Sequence, residues 1–113
     1  MKIYGIKNCN SMKKAFDALQ QANIAYEFHD YKKLGIDADT LKTWIAQLGT
    51  ETVLNKKGTT WKKLSEQQQQ YTIENEQNLI EMLIANTSMI KRPILDTGEE
   101  LIAGFDEQIY QKL

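Results

Sequence analysis

The period of apolar and polar residues changes several times along the chain. KIYGI, residues 2–6, is a short β-branched and aromatic run, which predicts a strand. From Ser11 the period becomes helical. Met12, Ala15, Phe16, Leu19 and Ala22 recur at three- and four-residue intervals on one face, with Asn10 or Ser11 able to cap the start. AYEFHDY, residues 25–31, returns to period two, with Tyr26 and Phe28 on one face and Glu27 and His29 on the other. Asp37 or Asp39 then caps a predicted helix striped by Leu41, Trp44, Ile45 and Leu48 and stopped at Gly49. LNKKGTTWKKL, with four lysines and no acid, reads as a loop leading into one helical turn that carries Trp61 and Leu64. SEQQQQ, residues 65–70, reads as a solvated helix or connector. Thr72 is the expected cap of a further helix that buries Leu79, Ile80, Leu83 and Ile84, with Glu74 and Glu76 in its first turn. After a loop over 86–91, PILDTGEELIAGF predicts two strands joined at Asp96 to Glu99, with Thr97-Gly98 in the turn. DEQIYQKL predicts a closing helix capped by Asp106.

The element order is therefore strand, helix, strand, helical insert, helix, hairpin, helix. A helix between the first two strands makes them parallel, and the hairpin makes the last two antiparallel. The expected fold is α/β, with a mixed four-stranded sheet and packed helices. This is the order of a thioredoxin-like fold with a helical insertion, about 37–85, after the second strand. No repeat or linker divides the chain, so one domain over 1–113 is expected.

Composition narrows the function classes. The chain has 113 residues, 42% apolar and 26% charged, which suits a folded domain. The net charge of −1 gives no support to a general nucleic-acid or membrane-surface role. LIEMLIA, residues 79–85, is the longest nearly apolar run and is too short to span a bilayer. The first residues lack the apolar run of a secretory signal. Cys9 is the only cysteine, which excludes an internal disulfide and makes a reducing, cytoplasmic location the simplest expectation. No clustered ligand set suggests a metal.

Cys9, His29, Arg92 and Pro93 are each the only residue of their type, and Arg92 stands against 13 lysines. Cys9 lies in "YGIKNCNSMKKA", just before a predicted helix. The N–H groups of Asn10, Ser11 and Met12 have no intrahelical acceptor there, and Lys7, Lys13 and Lys14 add positive charge. Both effects favour thiolate, the nucleophilic form, over thiol. The alternative is a buried cysteine acting as a small hydrophobe, which belongs on an apolar stripe; Cys9 sits between Asn8 and Asn10. Arg92 offers an anion a two-pronged donor, and Pro93 at a strand entry is a candidate cis bond; the bland reading of Lys91-Arg92 is a solvated loop pair. His29 is a tempting general base, but no triad partner accompanies it, and a structural role on its strand is expected.

"YGIKNCNSMKKA", "FHDYKKLGID", "LNKKGTTWKKL" and "IKRPIL" together resemble the arsenate reductase-related ArsC/Spx family, most closely its small bacterial YffB-like subgroup, from Lys2 to Tyr110. The resemblance implies a thioredoxin-like fold with a helical insertion and a catalytic cysteine at Cys9. It also implies an arginine before a cis-proline at Arg92 and Pro93. Glutathione-coupled arsenate reductases of the family carry further arginines around the cysteine. Here the matching segments read "VLNKKG" and "LIAGF", which leaves Arg92, helped by Lys56 or Lys57. Spx regulators carry a second cysteine where this chain has Met12. The activity implied is a glutathione-dependent thiol–disulfide reductase: Cys9 forms a mixed disulfide that an external thiol resolves. Asn8, Asn10, Ser11, Lys13, Lys56, Arg92 and Pro93 form the expected binding set. Glutathione is then a co-substrate rather than a bound cofactor. The partners expected are glutathione or glutaredoxin and a disulfide or oxyanion substrate, with a monomeric protein and no nucleic acid or membrane. The alternatives are a glutathione- or glutaredoxin-coupled arsenate reductase and a non-enzymatic Spx-like protein that binds RNA polymerase.

Overall fold

Four short strands make one mixed sheet in the computed structural model, which describes residues 1–113. In chain order the elements are β1 (Lys2–Gly5), α1 (Asn10–Gln21), β2 (Glu27–Asp30), α2 (Tyr31–Leu34), α3 (Ala38–Leu48) and α4 (Thr50–Val53). There follow α5 (Thr59–Lys63), α6 (Glu66–Glu74), α7 (Glu76–Ala85), a 3₁₀ turn at Thr87–Met89, β3 (Ile94–Asp96), β4 (Leu101–Ala103) and α8 (Glu107–Gln111). They divide into two compact units: Met1–Leu34 with Lys91–Leu113, and Gly35–Ile90. No helix is long and apolar enough to cross a membrane.

In the first unit the sheet order is β2-β1-β3-β4. β1 runs parallel to β2, and the β1–β3 and β3–β4 pairs are antiparallel, as the order of elements predicts. The register aligns Phe28, Ile3, Leu95 and Ile102 in one row across the sheet. On Ile3, Leu95 and Ile102 pack Met12, Ala15 and Leu19 of α1 and Tyr110 of α8, forming the core. Each fully buried aliphatic side chain of this kind contributes roughly 1.5–3 kcal/mol. The other face of β1 and β2 carries Tyr4 opposite His29, their rings 4.9 Å apart. The Tyr110 hydroxyl is buried in the core without a hydrogen-bond partner, and burial pushes its pKa up to about 12.

β2 is shorter than the expected 25–31. Asp30 ends it by accepting the Lys32 N–H at 2.9 Å, so that Tyr31 opens α2 instead of extending the strand. Gly5 is closely packed: a Cβ there would overlap Sδ and Cε of the buried Met12, which would have to shift. Gly5→Ala is accordingly expected to destabilise the fold by about 1–3 kcal/mol, as overpacked cores do. A chemical-denaturation midpoint equal to that of the parent protein would show that Met12 can move aside at no cost.

The Gly35–Ile90 unit is helical. Asp37 caps α3 by accepting the Thr40 N–H at 2.7 Å, and Gly49 ends it at φ 88, a left-handed conformation natural to glycine. Ser65 and Gln68 form a reciprocal capping box, so the polar glutamine run is the start of a true helix, α6. This corrects the expectation for Thr72. The helix runs through it, its hydroxyl donates to the Gln68 carbonyl at 2.6 Å, and the cap of α7 is Asn75, which accepts the Asn78 N–H at 2.8 Å. α7 buries Leu79, Ile80 and Leu83 but leaves Ile84 43% exposed, because the buried stripe is narrower than the apolar run.

Candidate active site

The site is built where β1 ends. Beyond Gly5 the chain turns at Asn8, whose φ of 62 is left-handed, a conformation that asparagine tolerates better than most residues. The backbone is then extended at Cys9 (φ −121, ψ 134), which is itself the N-cap of α1, in place of the expected Asn10 or Ser11. The Cys9 carbonyl accepts the Lys13 N–H at 3.0 Å. Its half-buried thiol makes no formed capping bond, yet the first-turn amides surround it. Partial burial pushes the Cys9 pKa up, but the N–H groups of Met12 and Ser11 and the Arg92 guanidinium together outweigh it. The net result lies below the usual thiol value.

Register explains how Arg92 arrives there. Tyr4 pairs with Ile94, so the antiparallel strand β3 begins where β1 is about to leave the sheet. Residues 91–93 therefore fall beside the turn that bears Cys9. The Arg92–Pro93 bond is cis, and Pro93 is buried with its carbonyl accepting the Gly104 N–H at 2.7 Å. Tyr31, 1% exposed, donates its hydroxyl to the Lys91 carbonyl at 3.3 Å and ties this segment to the end of β2. Burial, with a contribution from Tyr4, pushes the Tyr31 phenol well up while Arg92 pulls it the other way. The phenol therefore remains a donor at neutral pH.

Of the expected set, Asn8, Asn10, Ser11 and Lys13 belong to the Cys9 turn and the first turn of α1, and Arg92 and Pro93 lie at the entry to β3. Lys56 belongs to the helical unit. There its Nζ lies 3.6 Å from Glu51 Oε2 and 5.8 Å from the centre of the Trp61 ring. His29 packs against Tyr4 and, edge-on at 6.3 Å, against Tyr31. Cys9 opens into a groove of about 570 Å³ that continues along α1 past Lys13, Phe16, Asp17 and Gln20. Sequence reasoning missed Phe16, Asp17 and Gln20 as site residues, although the spacing of Cys9, Lys13 and Asp17 by four was a usable signal. Tyr31 carried no local signal, because its partner lies 60 residues away.

Chemically, the arrangement presents a soft nucleophile whose anion is stabilised by amides and one guanidinium, beside an open groove. The ArsC family model matches residues 4–113. An uncharacterised protein of Haemophilus influenzae is 37% identical over 109 residues, 96% of this chain and 94% of the relative. A solved structure named YffB is 45% identical with a TM-score of 0.91, covering 98% of this chain and 96% of its own. An arsenate reductase (ArsC) related protein from Brucella melitensis is 41% identical with a TM-score of 0.75, covering 98% of this chain and 91% of its own. The sheet and its helices are thus a thioredoxin-like fold. From the match along nearly its whole length and from these likenesses, the chain belongs to the ArsC family.

Proposed function

We propose that this protein is a monothiol reductase that uses glutathione as co-substrate. The observation that carries the reading is Cys9 at the head of α1, made more acidic by amides and Arg92 and open to a groove. The Cys9 thiolate attacks one sulfur of a disulfide, so that a Cys9 S–S bond forms, the substrate S–S bond breaks and the departing thiolate takes a proton from water. A glutathione thiolate attacks the Cys9 sulfur and displaces the second substrate thiol. Another glutathione then attacks the glutathione sulfur of the new mixed disulfide and frees Cys9. One disulfide is reduced to two thiols and two glutathiones become one glutathione disulfide, so the electrons balance.

The test is direct. Incubation with glutathione disulfide is expected to add one glutathione to the protein by mass, with Cys9→Ser giving the blank. Alkylation by iodoacetamide is expected to titrate with a midpoint below the ~8.5 of free cysteine, with reaction lost as pH falls through it. A midpoint at or above that value removes the basis of the proposal.

The name of the Brucella relative supports a second reading, reduction of arsenate, since a helix N-terminus favours an oxyanion. Against it, the segments around Val53–Gly58 and Leu101–Phe105 supply no arginine beside Arg92. Arsenate-dependent consumption of glutathione in a coupled assay would reverse this order. A third reading, an Spx-like partner of RNA polymerase, loses the regulatory disulfide because Met12 replaces the second cysteine.

A further inference from the structure

The groove at Cys9 has an ordered sequence of charges along it. Lys13, Asp17 and, three further on, Gln20 lie on α1, Cys9 is its N-cap four residues before Lys13, and all four line the groove. Residues at this spacing stack on one helix face, one turn after another. Lys13 and Asp17 are exposed, and the chain's ion pairs, Lys2–Glu27 and Lys56–Glu51, include neither. Phe16 forms the floor. Its ring stacks on Tyr26 at 5.6 Å and meets the edge of Phe28 at 5.1 Å. The far end closes where Gln20 donates to the Tyr26 hydroxyl at 3.3 Å. Lys7 is a second cation lining the groove at the Cys9 turn, and along α1 from Cys9 a ligand meets Lys13 and then Asp17 over an aromatic floor.

A purely anionic or purely cationic ligand satisfies only one of these two charges. An α-amino acid head group satisfies both, if it stands far enough from the reacting sulfur. Cys9 and Asp17 are about 12 Å apart along the axis at ~1.5 Å per residue, and helical side chains lean back toward the N-terminus, which shortens the reach. A γ-glutamyl link spans about two extended residues, roughly 7 Å, between the cysteine and the free head group, and the mixed disulfide adds about 2 Å between the two sulfurs. Resting on the thiol-reductase reading, we propose that this row is a subsite for the zwitterionic head group of a γ-glutamyl thiol. Asp17 takes its ammonium and Lys13 its carboxylate while its sulfur is bonded to Cys9. The row then sets specificity: an ordinary α-linked peptide has a backbone amide at this distance from its cysteine, with no paired charges to offer.

The experiment couples one ligand group to one residue. Rates of mixed-disulfide formation are measured by mass for three probes: glutathione disulfide, its counterpart acetylated on the γ-glutamyl nitrogen, and 2-hydroxyethyl disulfide, which has no head group. The parent protein is expected to prefer glutathione disulfide over the acetylated probe by about fivefold, the size of one exposed ion pair. Asp17→Asn is expected to remove that preference. Lys13→Met is expected to lower the ratio of glutathione disulfide to hydroxyethyl disulfide rates by a similar factor. An Asp17→Asn protein that keeps the full preference, or a parent protein that reacts equally with both glutathione probes, overturns the subsite while leaving the reductase reading standing. Failure of the parent protein to form any glutathione adduct overturns both.

Discussion

Arg92→Gln is expected to slow attack on glutathione disulfide at pH 7 by well over tenfold, while slowing alkylation by iodoacetamide only severalfold. The two reactions separate two roles of one guanidinium. Removing it takes away a hydrogen bond and a positive charge that favour the Cys9 thiolate, so the thiol becomes less acidic. For each pH unit that the midpoint rises above the working pH, the thiolate fraction falls about tenfold. Intrinsic nucleophilicity recovers about threefold, because the Brønsted slope is roughly 0.4–0.5. Alkylation by a neutral reagent feels only this net loss, about threefold per unit. If Arg92 holds a carboxylate of glutathione disulfide, as the proposed function implies, that reaction is expected to lose charge-assisted hydrogen bonds as well, worth about 1.5–3 kcal/mol, or roughly 10- to 150-fold. Arg92→Lys is expected to restore much of the alkylation rate but little of the disulfide rate, because an ammonium keeps the charge and lacks the planar fork. Equal slowing of both reactions would confine Arg92 to the sulfur, and no slowing of either would remove it from the site.

The second large effect concerns the residue one turn into α1. Met12 is 1% exposed and occupies the position at which a resolving cysteine would stand. Residues three apart in a first helical turn have Cβ atoms about 5–6 Å apart, close enough that a modest side-chain adjustment meets disulfide geometry. Met12→Cys is therefore expected to turn a monothiol protein into a dithiol one. Under the same glutathione disulfide treatment, the glutathionylated fraction falls at least tenfold and an intramolecular disulfide takes its place. The core loses volume as well, at a cost of about 1–3 kcal/mol in unfolding free energy, read from denaturant midpoints under reducing conditions. A glutathione adduct that persists in the variant would mean that the first turn holds the two sulfurs apart, and that the need for an external thiol does not follow from Met12 alone.

Much of this molecule was readable before folding because the signals were local. The apolar spacing of α1, the caps at Asp37 and Asp106, the stop at Gly49 and the Thr97-Gly98 turn each lie within a few residues of what they control. The lowered Cys9 pKa was readable in part for the same reason: the Ser11 and Met12 amides are next along the chain, whereas Lys7, Lys13 and Lys14, also expected to help, are not among its causes, and Arg92 is distant in sequence. The errors arose where two local signals competed. Thr72 resembled a cap, but the capping box at Ser65 and Gln68 had already started a helix through it. Tyr31 fitted a β pattern, but Asp30 used its side chain to end the strand one residue earlier. What stayed hidden was tertiary. No spacing announces that Tyr31 will hold the backbone at Lys91, or that a phenylalanine of α1 will floor a groove against two aromatics of another segment.

The unit that carries the thiol is assembled from two stretches of chain, with Gly35–Ile90 lying between them in sequence. Cys9 leaves the ribosome early and Arg92 late, so a nascent or truncated chain ending before Arg92 holds a cysteine that lacks its guanidinium. Such a chain keeps only the Ser11 and Met12 amides of the first turn of α1 to favour its thiolate, so the full acidity of Cys9 requires both stretches.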